Sequence, residues 1–135
     1  MTGLIWTIQS LHYPTFLYVP ENQFQKFHAF HSKTITFIVL PMMVFELVTA
    51  VRLVFYYPGS RALWMNVTGL GLIWLCTFFI SVPLHYLLVK NKSEKVIERL
   101  VLTNWIRTLL WSIRLCLLMY IFIKIFEGTH INVSA

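Results

Sequence analysis

Acidic residues are scarce in this chain: five among 135, within a charged fraction of only 12%. Ordinary soluble domains carry about 25% charged and about 45–50% apolar residues. A chain so poor in charge and 58% hydrophobic is neither disordered nor a soluble enzyme. Cysteine is scarcer still. Cys76 and Cys116 both lie in apolar segments, without a CxxC and without paired spacing. A disulfide scaffold and a cysteine metal motif are excluded, and both residues read as small hydrophobes. There is no nucleotide-binding loop, no nucleophile elbow, no internal repeat and no low-complexity tract. The first apolar run lacks a basic n-region and a small-residue cleavage site, so it reads poorly as a signal peptide.

What is present is hydrophobic length. The mean hydropathy is +0.70 and aromatics make up 16% of the 15.9 kDa chain. One domain of membrane helices accounts for this composition. The sequence predicts an all-α, polytopic four-helix bundle, residues 1–135 forming a single transmembrane domain. Its helices are expected near residues 3–19, 33–56, 63–89 and 101–126. The first run is short for a span, which needs about 20 residues of helix. Its true start is therefore expected to lie upstream, a tilted or half-inserted helix being the alternative.

Residues 20–32 read as a loop in which Phe24, Phe27, His28 and His31 share one face of an interfacial helical turn. Pro41 should kink the second span. Tyr57, Pro58 and Gly59 read as a turn. Gly69 and Gly71 allow close helix approach in the third span. Pro83, just before His85, either frees a carbonyl beside that imidazole or simply marks a helix end. Residues 90–99 read as a charged loop with a short polar helix, and the tail after Glu127 as frayed. The five tryptophans are scattered and suit aromatic belts. Asn66-Val-Thr68 and Asn132-Val-Ser134 match the glycosylation triplet, which is too common by chance to carry an argument.

The formal charge of +6 is not a nucleic-acid signal, because the basic residues lie mostly in short loops. Lys26, Lys33, Lys90, Lys92, Lys95 and Arg99 fall on one side, against Arg52, Arg61 and Lys124 on the other. The positive-inside rule places residues 20–32 and 90–100 in the cytoplasm, and both termini outside if four helices span.

Two constellations follow from depth along the helices. His12 lies about 10 Å and His85 about 6 Å inside their spans, at 1.5 Å per residue. Both depths are measured from the face where His28 and His31 enter and where Asn104 and Arg107 open the last span. Imidazoles delivered from different helices to one layer suit a metal or haem site. His12, His28, His31 and His85 are the candidate haem or divalent-metal ligands, with Arg107 as partner to a propionate, another anionic group or a lipid phosphate. Bonding to backbone or water is the bland alternative for each histidine. Deeper still, Glu46 and Arg114 each lie about 20 Å from that face. A lone charge there costs several kcal/mol, so the two should turn inward and pair, either as a packing device or as part of a proton path or anionic-lipid slot. Asn104, Arg107, Trp111 and Arg114 share one stripe of the last helix.

Several phrases together resemble a family of small bacterial integral membrane proteins of unassigned function. They are Gly3-Leu-Ile-Trp-Thr-Ile-Gln9, His12-Tyr13-Pro14, Val82-Pro83-Leu84-His85, Asn104-Trp105-Ile106-Arg107-Thr108 and Trp111-Ser112-Ile113-Arg114. The resemblance covers nearly the whole chain and implies four membrane helices, the first usually starting further upstream. The layout is similar to that of bacterial protoporphyrinogen oxidases and anthrone-oxygenase-like proteins, in architecture only, and architecture does not carry function. The functional expectation is a haem- or metal-binding redox membrane protein. Its alternative is a non-catalytic small transporter or assembly component acting as a homo-oligomer in the lipid bilayer.

Overall fold

The computed structural model describes the backbone of residues 1–132 and the side chains of residues 1–127, so the second glycosylation triplet lies partly outside the described residues. All described elements are helical and form four rods. The first, α1, is Thr2–Thr7 continued by a π-helical turn Ile8–His12, the turn Tyr13–Thr15 and the 3₁₀ turn Phe16–Tyr18. The second, α2, is one helix, Glu21–Tyr56. The third, α3, is Arg61–Cys76, a π-helical turn Thr77–Ser81 and Val82–Lys90. The fourth, α4, runs Glu94–Asn132.

Three rods are long and apolar enough to cross a membrane: Glu21–Tyr56, Arg61–Lys90 and Glu94–Glu127. Their apolar side chains lie largely on the outside of the bundle, as with Phe37, Phe45, Phe55 and Leu102. In water such a surface would aggregate; against lipid chains it is at home.

The helix starts differ from those expected. Residues 20–32 are not a loop, because α2 begins at Glu21 rather than near residue 33. No Gly or Pro interrupts residues 21–32, and Pro20 sits at the N-cap, where its missing N–H costs nothing. Residues 94–100 likewise form the first turns of α4, so the polar helix expected there is continuous with the last span. At the other end α4 continues through Asn132 instead of ending at the polar tail. Pro41 sits inside α2 without a break in the helix.

The two other helix-interior prolines have a visible accommodation. Pro14 and Pro83 each stand second in the α-segment that follows a π-helical turn. A proline ring collides with the carbonyl four residues back, and a widened turn gives it room. Each π turn also rotates the following side chains relative to the preceding helix, which re-aims His12 and Tyr13 in α1 and His85 in α3.

In the bundle α3 packs on both α2 and α4, and α1 packs on α4. One apolar cluster joins Ile8, Phe16, Phe24, Leu84, Leu88, Ile97 and Leu100. A second joins Ile5, Met43, Ala50, Leu70, Ile73 and Trp111 further along. The turn between α3 and α4 is tied to the end of α1 by Lys92, whose Nζ donates to the carbonyls of Leu17 at 3.0 Å and Val19 at 2.8 Å. Ser60 caps α3 by accepting from the Leu63 amide at 3.4 Å.

The two glycines of α3 differ. A Cβ on Gly69 would stand 3.3 Å from Arg114 Cγ, whereas one on Gly71 would meet nothing within 4 Å. Gly69 therefore makes room for the arginine stem inside the bundle and is not free for a contact between copies. We expect Gly71→Ala to stabilise the protein by about 0.5–1 kcal/mol, the usual helix-interior gain. Gly69→Val should lose stability through the clash. Chemical unfolding of the two variants in mixed micelles checks the contrast.

Candidate functional site

The side chains of His12, His28, His31 and His85 meet in one layer near the α1–α2 and α3–α4 turns. His12 comes from the end of the π turn in α1, His28 and His31 from the early turns of α2, and His85 from the final segment of α3. Their rings are close neighbours: His12 and His31 are 4.3 Å apart between centroids, His28 and His85 5.3 Å, and His31 and His85 5.7 Å. Phe16, fully buried, packs edge-on against His28 and His31 and fixes their spacing.

The imidazoles are hydrogen-bonded to one another. His12 Nε2 and His31 Nδ1 lie 2.6 Å apart. His28 Nε2 and His85 Nδ1 lie 3.0 Å apart, and His85 Nε2 is 3.1 Å from the Tyr13 hydroxyl. Tyr13, His85 and His28 thus form a continuous chain that can be protonated in either sense. If Tyr13 donates to His85, then His85 donates to His28 and the His28 proton sits on Nδ1. In the reverse sense His28 Nε2 donates to His85, and His85 donates to the tyrosine oxygen. Switching between these two states moves a proton along the chain without any ring becoming an isolated ion. Two further ring nitrogens, His28 Nδ1 and His31 Nε2, are buried without a hydrogen-bond partner among the described residues.

Neutral imidazoles are suitable donors for a transition metal. As placed, however, no group of three or more His, Cys, Asp or Glu among the described residues converges on a metal position. Two imidazole nitrogens bound to one tetrahedral ion at about 2.0–2.1 Å stand roughly 3.3 Å apart. The pairs at 2.6 and 3.0 Å would have to open by about 0.7 Å and about 0.3 Å to admit one. The donor set therefore fits a metal in chemistry, while as placed the rings are spaced for hydrogen bonds to one another and their nitrogens do not converge on one point. Haem fits poorly. No two rings leave a slot for a macrocycle between them, since Phe16 fills the space beside them.

Beside His85 lies a cavity of about 300 Å³. Its α2 side is chiefly apolar, with Ile35, Val39, Leu40 and Met43 beside Thr36, and Tyr13, Ser81, His85 and Arg107 supply most of its other polar groups. At about 30 Å³ for a water-sized group, it admits roughly ten such groups, well short of a haem.

Arg107, 6% exposed, is the buried cation of this region. Its Nη1 donates to Ser81 Oγ at 3.3 Å and to Asn104 Oδ1 at 3.1 Å. Asn104 Nδ2 donates in turn to Gln9 Oε1 at 2.8 Å, and Gln9 Nε2 donates to the Val101 carbonyl at 3.1 Å. This polar ladder between α1 and α4 was only half visible in the sequence. Asn104 stood out, whereas Gln9 looked like a single polar residue in a short apolar run, and nothing marked Ser81 at all.

A second polar layer lies along α4. Arg114 Nη1 donates to Glu46 Oε2 at 2.9 Å, and Arg114 Nε donates to Asn66 Oδ1 at 3.0 Å. The Met1 amino group is 3.8 Å from the other Glu46 oxygen. Arg114 also lies over the Trp111 ring at 4.7 Å. Asn104, Arg107, Trp111 and Arg114 are all buried, so the stripe faces inward. Asn66, 2% exposed and bonded to Arg114, is closed to glycosylation in this fold.

Comparison with family models, with curated proteins and with solved structures finds no match to this chain. The functional reading therefore stands on the site's chemistry.

Proposed function

We propose that this chain is a multi-pass protein of a bacterial inner membrane whose histidine layer holds a transition-metal ion and serves redox chemistry. One observation carries the reading. Four imidazoles from three helices are gathered into a single layer, His28 and His31 buried and His12 and His85 partly so, with two ring nitrogens left without partners. Unsatisfied polar nitrogens in an apolar interior are costly to maintain, and a bound ion would satisfy them. His12, His28, His31 and His85 would hold the ion, which would supply electron transfer when bound. The excess of basic residues at this end supports a cytoplasmic position for the layer.

The experiment is metal analysis with an absorption spectrum on detergent-purified protein, comparing wild type with His12→Ala and His85→Ala. We expect about one transition-metal ion per chain in wild type and a loss of at least tenfold in affinity in either variant. A wild type that stays metal-free after dialysis against divalent metals would remove the metal reading. The Tyr13–His85–His28 chain would then stand as a proton relay alone.

A further inference from the structure

We infer that the cavity beside His85 binds a single-chain, lipid-soluble carboxylate that enters sideways from the bilayer and places its head on Arg107. Arg107 is a buried cation without an anionic partner. The ion pairs among the described residues are those of Met1 and Arg114 with Glu46 and of Lys124 with Glu127. The two side-chain acceptors on Arg107 Nη1, from Ser81 and Asn104, are both neutral, and its Nε donor is buried with no partner. An uncompensated guanidinium inside a membrane helix bundle is costly, and such residues generally mark a site where charge arrives from outside.

The cavity shows what accompanies the charge. Arg107, Tyr13 and His85 line one end, and the remaining wall is chiefly hydrocarbon. Leu40, Phe78 and Val82 line the cavity and are also exposed on the outside of the bundle, so its mouth lies between α2 and α3 toward the lipid. A volume of about 300 Å³ suits an acyl chain of roughly ten heavy atoms at about 30 Å³ each. A planar, singly charged carboxylate matches one guanidinium fork. The inference goes beyond the proposed metal site. It stands on Arg107 and the cavity, so it survives if the histidines hold no ion.

The test is equilibrium binding of labelled decanoate and of decanol to the full chain in lipid nanodiscs, with empty nanodiscs as background. We expect saturable decanoate binding, with decanol at least tenfold weaker. Arg107→Gln should weaken decanoate at least tenfold while leaving decanol unchanged, and Arg107→Lys should fall between. Val39→Phe, which fills the apolar wall and leaves the arginine in place, should reduce decanoate binding even if the arginine variants do not fold. Equal binding of decanol and decanoate to wild type would overturn the proposal, as would decanoate binding unaffected by Val39→Phe or no saturable binding at all. The metal content of the same preparations is a separate readout, so failure of one reading leaves the other visible.

Discussion

Arg114→Met should destabilise the folded protein by about 3 kcal/mol, the lower end of the scale for breaking a buried ion pair from one side, because the Glu46 carboxylate is partly exposed. The substitution keeps most of the stem's volume against Gly69 but removes both of the arginine's side-chain bonds. Glu46 then keeps only the Met1 amino group, at 3.8 Å, and Asn66 Oδ1 loses its donor. Glu46→Gln should cost less, because its amide oxygen can still accept from Arg114. The double variant Glu46→Gln/Arg114→Met should recover part of the loss. That recovery separates the penalty of an unpaired charge from the worth of the pair itself. Unfolding by denaturant in mixed micelles measures all three. A loss below about 0.5 kcal/mol for Arg114→Met would mean that lipid or water satisfies Glu46 just as well.

Phe16→Ala should have an effect of comparable size, about 3–5 kcal/mol, by a different route. Phe16 is fully buried and its ring meets those of Tyr13, Phe24, Phe27, His28, His31 and His85. Truncation opens a cavity in the middle of the histidine layer. Phe16→Leu, which leaves a smaller void, should cost about 1–1.5 kcal/mol. The two large-effect variants also differ in kind. Phe16→Ala should disturb the histidines, whereas Arg114→Met should leave them in register. Side-chain nitrogen chemical shifts of the histidines distinguish these outcomes. Unchanged shifts in Phe16→Ala would show that the imidazoles hold one another without the phenylalanine.

The apolar helices were legible because their composition and length leave few alternatives. Helix starts were less legible. A charged, aromatic stretch such as residues 21–32 reads as an interfacial loop when a span is sought by hydropathy alone, although nothing in it stops a helix. Depth was well encoded: counting at 1.5 Å per residue put the histidines at one level and Glu46 with Arg114 at another. Rotation about the helix axis was not. The π turns at Ile8–His12 and Thr77–Ser81 reset the helical phase just before the residues that matter. No periodicity argument that assumes 3.6 residues per turn across those points could aim Tyr13 at His85 or Ser81 at Arg107. Gln9, Phe16 and Asn66 were missed for a related reason: their roles exist only through partners 48 or more positions away for the two polar residues, and through rings drawn from three helices for Phe16.

The central claim is that the four histidines act together as one ligand set. Its most direct test is to load the purified protein with cobalt(II) and record the X-ray absorption spectrum of wild type and His31→Ala. Wild type should show imidazole nitrogen as the dominant first-shell ligand. His31→Ala should lose that signature or bind cobalt at least tenfold more weakly. Cobalt coordinated only by oxygen in wild type, or a nitrogen-rich spectrum indifferent to His31→Ala, would contradict the claim.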